Sequence, residues 1–435
     1  MASAGPIPLR NWAGDLRWSP ALLDRPSTQD ELIAAVRRTD MPLRVLGAGH
    51  SFTPLAVTGG HAIQLDGLSG LVSVDTVRHE ATVWAGTRLR DLGPLLAERG
   101  LALENQGDID SQAVAGALCT ATHGTGARLG CISSQVLGMT LTTATGETLV
   151  LDRDRDGDRF LAAAVSLGCL GVIAQVRIKV RAAYRLRDVR RTLPLDECLA
   201  RIEELSAAHR HFEFFWFPYS RWALTKTLDI VDEDAGGGDR MRSWLASMAV
   251  ENLGLWLVCQ TGRAMPRWIP ALNRLCSRVL DEPEHAGPSH RIFPTPRHVR
   301  FHEVEYAVPA ARGPDCLREI RSFIEGRRLP VGFPLEYRLV AKDDLLLSPF
   351  HGRDSATISV MMFHPVAYRE LFDGVEAIFR NHAGRPHWGK MHRARASSLR
   401  ALYPRWDEFL KVREELDPEG RFLNPYLRDL LLDAA

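Results

Sequence analysis

The sequence predicts an α+β protein of two domains with a helical tail, and three observations carry this. The first 180 residues alternate short strand-like runs with a few helices. After residue 183 the strands become aromatic and alternate with amphipathic helices, and the last fifty residues read as helices punctuated by proline and glycine. At 435 residues the chain is long enough for two or three domains, each with its own core. The expected segments are 1–183, 184–385 and 386–435.

The 45% apolar and 25% charged fractions are those of a soluble globular protein. A formal net charge of +1, with both signs interspersed, argues against nucleic acid as a partner. Seven cysteines without any C-x-x-C pair favour reduced thiols over a disulfide framework or a zinc site. The start "MASAGPIPLRNWAGD" has no basic stretch leading into an apolar run, so no signal peptide and a cytoplasmic location are expected. The most apolar segment, "WLASMAVENLGLWLVC" (244–259), is interrupted by Glu251 and Asn252 and is too short to span a bilayer. It reads as a buried helix. A monotopic membrane contact is the alternative, without a basic amphipathic face to support it.

Along the chain, Ser27 or Thr28 can cap a helix whose Leu32, Ile33 and Val36 form an apolar face, with Asp30 or Glu31 completing the box. "PLRVLGAG" is a short buried strand entering a glycine turn. Strand runs follow at 62–66, 71–75 and 80–85, with a helix near 88–98. "ETLVLDRDRDGDRFLAAAVSLGCLGVIAQVRIKV" gives a strand, an acidic turn, a helix and a strand from about 171 to 180. Further on, "HFEFFWFPY", "VEYAVP", "LEYRLV" and "TISVMMFHP" read as strands and "CLREIRSFIEGRR" as a helix. "DEDAGGGDR" (232–240) is the expected mobile loop.

Three glycine loops carry the chemistry. In "VLGAGHSF" the third glycine of a G-x-G-x-x-G fingerprint would fall on Phe52, so a Rossmann nicotinamide site is not expected. Gly47 and Gly49 can still form an N–H nest for a pyrophosphate. Such a loop has no need of an imidazole, so His50 points to a nucleophile or a ligand. The second loop, "QGDIDSQAVAGALCTATHGTGARLG" (106–130), contains a short helix of Ala113, Ala115, Gly116 and Ala117, which Asp110 or Ser111 can cap. Small side chains there let a flat ring approach. In the third, Gly168 and Gly171 open a strand whose backbone can pair with a ligand's edge. Three such loops, two with a histidine, suit a large phosphate-bearing cofactor. A metal held by His50, His61 and His123 is the alternative, but no acid or thiol spacing supports it, and no metal is expected.

"VLGAGHSF", "GDIDSQAVAGALCTATHGTG", "GCLGVIAQV", "FEFFWFPYS", "LEYRLV" and "HWGK", in this order, resemble the aldonolactone oxidoreductases. These are the L-gulono-1,4-lactone and D-arabinono-1,4-lactone oxidases and the related alditol oxidases, flavoproteins of the vanillyl-alcohol oxidase superfamily. The likeness runs over nearly the whole chain, and its specificity lies in the combined order. It implies an FAD-binding domain at 1–183 and a cap with an antiparallel sheet at 184–385. The segment 386–435 would carry Lys390 and return to the FAD domain. It also implies FAD joined covalently to His50, against the plain reading of an ordinary core or surface histidine. Gly47, Ala48, Gly49, Ser51 and Phe52 would flank the cofactor. Gly107, Asp108, Ser111, Gly116, Thr120, Thr122, His123 and Gly124 would line it from the second loop, and Gly168, Gly171, Val172 and Ile173 from the third.

On the substrate side, Glu336 and Arg338 lie two apart in a strand and so share a face. A carboxylate beside a guanidinium can clamp a polyhydroxylated substrate, and Arg338 can stabilise developing negative charge. A simple sheet salt bridge is the other reading. The resemblance places Lys390 near the flavin's pyrimidine end. It also gives Gly107 the role of an open gate for dioxygen, where an alanine methyl would obstruct; relief of turn strain is the plainer role for a glycine. "TISVMMFHP" puts Ser359 and Met361 where alditol oxidases carry a histidine and a threonine, a pattern closer to the lactone oxidases. The expected activity is oxidation of a sugar-derived 1,4-lactone, with hydride passing to flavin N5 and dioxygen leaving as hydrogen peroxide. Alditol oxidation, or a dehydrogenase feeding a cytochrome or quinone, are the alternatives.

Overall fold

The computed structural model describes residues 8–232, 253–279, 284–295, 297 and 299–432. A short antiparallel pair, β1 (Leu9–Arg10) and β2 (Arg17–Trp18), precedes a parallel sheet of β3 (Leu22–Asp24), β4 (Leu43–Leu46) and β5 (His61–Gln64). Parallel strands need a crossover, and α1 (Gln29–Arg37) supplies it. It begins where the capping signal lies: Thr28 accepts from the Glu31 N–H, and the Glu31 carboxylate accepts from the Ser27 N–H and hydroxyl.

The second sheet is antiparallel. It contains β6 (Leu71–Asp75), β7 (Glu80–Trp84), β8 (Leu101–Leu103), β9 (Val136–Thr142), β10 (Thr148–Asp152) and β11 (Val172–Ala182). Its order is β10–β9–β11–β7–β6, with β8 also paired to β11. Helices α2 (Leu89–Ala97) and α3 (Val114–Cys119) pack with it in one apolar core, which also takes in Trp388, Phe409, Phe422 and Leu427 from the end of the chain.

The third sheet has eight strands: β12 (Arg185–Pro194), β13 (His211–Trp216), β14 (Trp222–Val231), β15 (His285–Pro288), β16 (Phe301–Pro309), β17 (Leu335–Val340), β18 (Ser355–Phe363) and β19 (Arg385–Pro386). They run in the order β15–β12–β14–β13–β17–β18–β16–β19, every pair antiparallel. Strict alternation sorts the side chains. Phe214, Val304, Tyr306, Tyr337, Ile358 and Val360 face a core closed by the helices Gly313–Arg327 and Arg369–Asn381. Tyr337 stacks on Phe214 with ring centroids 4.8 Å apart.

The opposite face carries Glu213, Lys226, Glu303, Glu305, Glu336, Arg338 and Ser359. An antiparallel sheet ordinarily turns such a face to water. Here all seven are buried. Burying charge costs several kcal/mol per ion before pairing, so this concentration marks a site.

Two expectations are corrected. Neither Asp110 nor Ser111 caps α3: its N-cap is Ala113, with no side-chain bond, and the Ser111 hydroxyl goes to His50 instead. The apolar segment 244–259 is not a buried helix over the part described. Residues 253–264 are helical, but Leu253, Trp256 and Leu257 are exposed, and of residues 253–259 only Cys259 is buried. Residues 233–252, which include most of the expected mobile loop, lie outside the described residues. All seven cysteines are free thiols. Among the described residues, no helix is long and apolar enough to cross a membrane.

Candidate active site

β4 leads into Gly47–His50, and this loop forms one wall of a cleft of about 870 Å³ that is open to solvent. Ala113, Ala115, Gly116 and Thr120 form the facing wall, and Gly168 closes one side. Glycine relieves backbone strain at Gly49 (φ +71°) and Gly168 (φ +67°), where the chain is left-handed. Arg44 fixes the loops from beneath. Fully buried, it donates to the carbonyls of Leu55, Leu167, Gly168 and Phe422 at 2.5–2.8 Å. Burial pushes its pKa down to about 10.

A second cleft, of about 760 Å³, lies between the GHS loop and the polar face of the cap sheet. The two share His50, Ser51, Gln112 and Thr120, so they form one groove with His50 at the junction. A glycine-lined half opening into a charged half fits a dinucleotide whose redox-active ring reaches the charged end.

His50 is held tightly. The Ser111 Oγ lies 2.7 Å from its Nε2, and Trp12 stacks on its ring at 5.8 Å and 24°. Burial, and then the charges of Lys390, Arg88 and Arg90, push its pKa down to about 4, so the imidazole is neutral at physiological pH. The "HWGK" segment docks on the same loop: the Phe52 N–H donates to the Gly389 carbonyl at 2.7 Å and the Thr53 hydroxyl to that of Trp388 at 2.8 Å.

The charged half is an ordered network. Arg338 donates to Glu336 and, at 2.9 Å, to Glu213 across the β13–β17 ladder. Lys226 Nζ lies 3.1 Å from the other Glu213 oxygen. Arg297 holds Asp108 at 2.7 Å, and Lys390 holds Glu303 at 2.5 Å. His123 has acceptors at both ring nitrogens, the Gly124 carbonyl at 2.8 Å from Nδ1 and Glu305 at 2.5 Å from Nε2. Burial alone would raise the Glu305 pKa, but His123, His387 and Lys390 outweigh it and hold it well below the usual range. Asp108 is held at about 2: burial opposes, and Arg297, Lys226 and Arg338 prevail. Glu336 goes the other way. Burial, aided by Glu213 and Asp108 and only partly offset by Arg338, pushes it up to about 7. Burial likewise lowers His387 to about 3.

Of the residues expected from sequence, Gly47, Ala48, Gly49, Gly116 and Gly168 line the glycine-rich half. Phe52, Gly107, Asp108, Thr122, His123, Glu336, Arg338 and Lys390 line the charged half, and His50, Ser51 and Thr120 line both. Ser111 touches the site through His50. Gly124 is packed so closely that a Cβ would sit 2.2 Å from the Gln106 carbonyl. Gly171 precedes β11, Val172 and Ile173 begin it, and none of the three lines either cleft. The His50–His61–His123 grouping is not formed: His61 bonds Asp24 at 2.9 Å and His123 bonds Glu305. Sequence reasoning missed Glu213, Lys226, Glu303, Glu305, Arg297 and Trp12. The period-two carboxylates of "FHEVEYAVP" repeat the pattern of "LEYRLV" and are a signal for two of them. Trp12 and Arg297 leave none.

Groove and charged chamber together fit an FAD-binding flavoprotein. The family described as "FAD binding domain" matches residues 20–152, and that described as "D-arabinono-1,4-lactone oxidase" matches residues 176–430. The chain is 42% identical to the L-gulono-1,4-lactone dehydrogenase of Mycobacterium tuberculosis, over 97% of this chain and 98% of that one. It is 30% identical to the L-gulonolactone oxidase of Mus musculus, over 97% of each. A solved structure, a solvent-stable cholesterol oxidase, superposes with a TM-score of 0.82 at 18% identity, covering 98% of both chains, which shows the shared fold. The chain belongs to the D-arabinono-1,4-lactone oxidase family of oxidoreductases.

Proposed function

We propose that this protein oxidises a sugar-derived 1,4-lactone of the L-gulono- or D-arabinono- type, with FAD bound covalently through His50 and dioxygen as acceptor. The observation that carries the reading is the neutral His50 at the junction of the two clefts, with the Glu336–Arg338 pair in the charged half. On this reading residues 1–183 hold the flavin, 184–385 cap it, and 386–435 bring Lys390 back to it. FAD, when bound, supplies the two-electron acceptor for the substrate's C–H hydride. Arg338, Glu336 and Asp108 offer fixed donors and acceptors to the substrate's hydroxyl and carbonyl oxygens. Glu336, titrating near neutrality, takes the proton of the hydroxyl being oxidised. Arg338 stabilises the charge that then develops on that oxygen. On this reading Lys390 lies near the flavin's pyrimidine end, and its charge also contributes to lowering the His50 pKa.

The covalent bond is tested directly. Acid-precipitated wild-type protein is expected to stay yellow and its denatured gel band to fluoresce, while His50→Ala releases all of its flavin to the supernatant. Complete loss of colour from the wild-type pellet excludes the bond.

The acceptor is the second question, because the relative at 42% identity is named a dehydrogenase and that at 30% an oxidase. Gly107 supports the oxidase. It lines the charged half and has no left-handed φ to explain it; the rival packing role rests on the Thr122 methyl, which a Cβ there would meet at 3.0 Å. Gly107→Ala is expected to slow reoxidation of reduced flavin by dioxygen, with substrate reduction of the flavin nearly unchanged. Stopped-flow measurement of both half-reactions checks this. Equal slowing of the two, with lower flavin content, would show that the glycine serves packing against Thr122.

A further inference from the structure

We propose that Ser111 is a positioning residue for flavin attachment, accepting the His50 Nε2 proton so that Nδ1 is left as the bonding nitrogen. This rests on the covalent reading of His50 given above. A neutral imidazole carries one N–H, and only the other nitrogen has a lone pair to attack with. The Ser111 hydroxyl lies 2.7 Å from Nε2. A hydroxyl at that distance can accept from Nε2–H or donate to a bare Nε2, and in the accepting role it keeps the proton there and leaves Nδ1 free. Trp12, stacked on the ring, restricts rotation that would exchange the two nitrogens. The low pKa that burial and the three neighbouring cations impose keeps the ring in the neutral form that attack requires. The choice of residue has a reason. A hydroxyl can accept from Nε2–H before attachment and turn to donate to the bare Nε2 afterwards. A carboxylate cannot donate and an ammonium cannot accept.

The step balances as follows. A bond forms between Nδ1 and the flavin's 8α carbon, and one 8α C–H bond breaks. The C–H proton goes to solvent, and its electron pair enters the isoalloxazine ring, which is reduced by two electrons. The Nε2 proton leaves past Ser111 to solvent. Dioxygen takes the two electrons and two protons as hydrogen peroxide and restores the oxidised ring.

The test follows attachment and not turnover. Full-length wild type, Ser111→Ala, Ser111→Thr and Ser111→Cys are produced with limiting flavin and then incubated with FAD in air. Total flavin is read from absorbance and the attached fraction from the acid-precipitated pellet over time. Wild type and Ser111→Thr are expected to attach at similar rates. Ser111→Ala should attach about tenfold more slowly at equal total flavin, the order expected for one lost hydrogen bond on the reacting ring. The wild-type peptide should carry the flavin on Nδ1 by NMR. Attachment by Ser111→Ala at the wild-type rate, or a wild-type linkage through Nε2, overturns the proposal. If Ser111→Ala does not fold, the near-isosteric Ser111→Cys, a weak acceptor, must show the delay; wild-type attachment in it overturns the proposal equally. A wild-type pellet without flavin instead overturns the covalent reading on which this one rests, and the Ser111 variants then do not differ.

Discussion

Arg338→Ala is expected to lose about a hundred- to a thousand-fold in the rate of flavin reduction while retaining bound flavin, the ~2.7–4 kcal/mol typical of one charge-assisted contact made in a transition state. Arg338 is the cation between two buried carboxylates, Glu336 and Glu213. Glu213 keeps Lys226 as a partner when the arginine is removed. Glu336 is then left without its partner, and breaking a buried pair in this way costs about 3–5 kcal/mol if the remaining group stays charged. A carboxyl already pushed up to about 7 takes up a proton instead, which holds the loss of stability toward the lower end of that range below neutral pH.

The pH dependence has a definite sign. The folded pKa of Glu336 lies above its ordinary value, so its contribution to stability is full below that value and is lost as pH rises through about 7. The rate runs oppositely. Flavin reduction in the wild type should rise through about pH 7 as Glu336 ionises. Without Arg338, whose attraction favours the carboxylate, the midpoint should move to higher pH. Stopped-flow reduction across pH 5–9, with thermal unfolding alongside, measures both effects. Reduction at the wild-type rate in Arg338→Ala would remove the charge-stabilising role.

Lys390→Ala should cost a similar factor, about a hundred- to a thousand-fold, but for one of two separable reasons. Its ammonium holds Glu303 at 2.5 Å and sits 5.5 Å from the centre of the Phe52 ring. Truncation therefore removes a cation from beside His50 and also leaves Glu303 buried without that partner. The double variant Lys390→Ala/Glu303→Gln separates the two. If it recovers most of the rate, Lys390 acts by neutralising Glu303. If it stays slow, the cation itself acts on the substrate or the flavin. Flavin reduction at the wild-type rate in the single variant would show that Lys390 has neither role.

Much of the scaffold was legible because local chemistry specifies it. The Thr28–Glu31 box starts α1, period-two alternation places Glu336 and Arg338 on one face, and glycine spacing marks the loops that form the first cleft. The same logic failed where a local signal competed with a distant partner. Ser111 carries a capping signal for α3, but its hydroxyl is taken by His50, sixty-one positions away in sequence. Residues 253–257 are apolar enough to read as core, yet hydrophobicity does not say which surface will cover them, and the structure leaves Leu253, Trp256 and Leu257 exposed.

The sequence by itself determined the α+β class, the glycine loops, the alternating strand of the Glu–Arg pair and the histidine between a phosphate-type nest and a helix of small residues. Each of these follows from backbone geometry within a few residues. Only the tertiary structure decided that the polar face of the cap sheet is buried. In "FHEVEYAVP" and "HFEFFWF" the glutamates alternate with apolar residues as they would in any half-exposed antiparallel strand, where they face water. Here the FAD-binding half of the chain and its returning tail cover that face. Glu213, Glu303 and Glu305 must then be paired with Lys226, Arg338, Lys390 and His123, and a set of solvated side chains becomes a charged chamber. Burial is a property of the packed pair of surfaces, so no single strand could announce it.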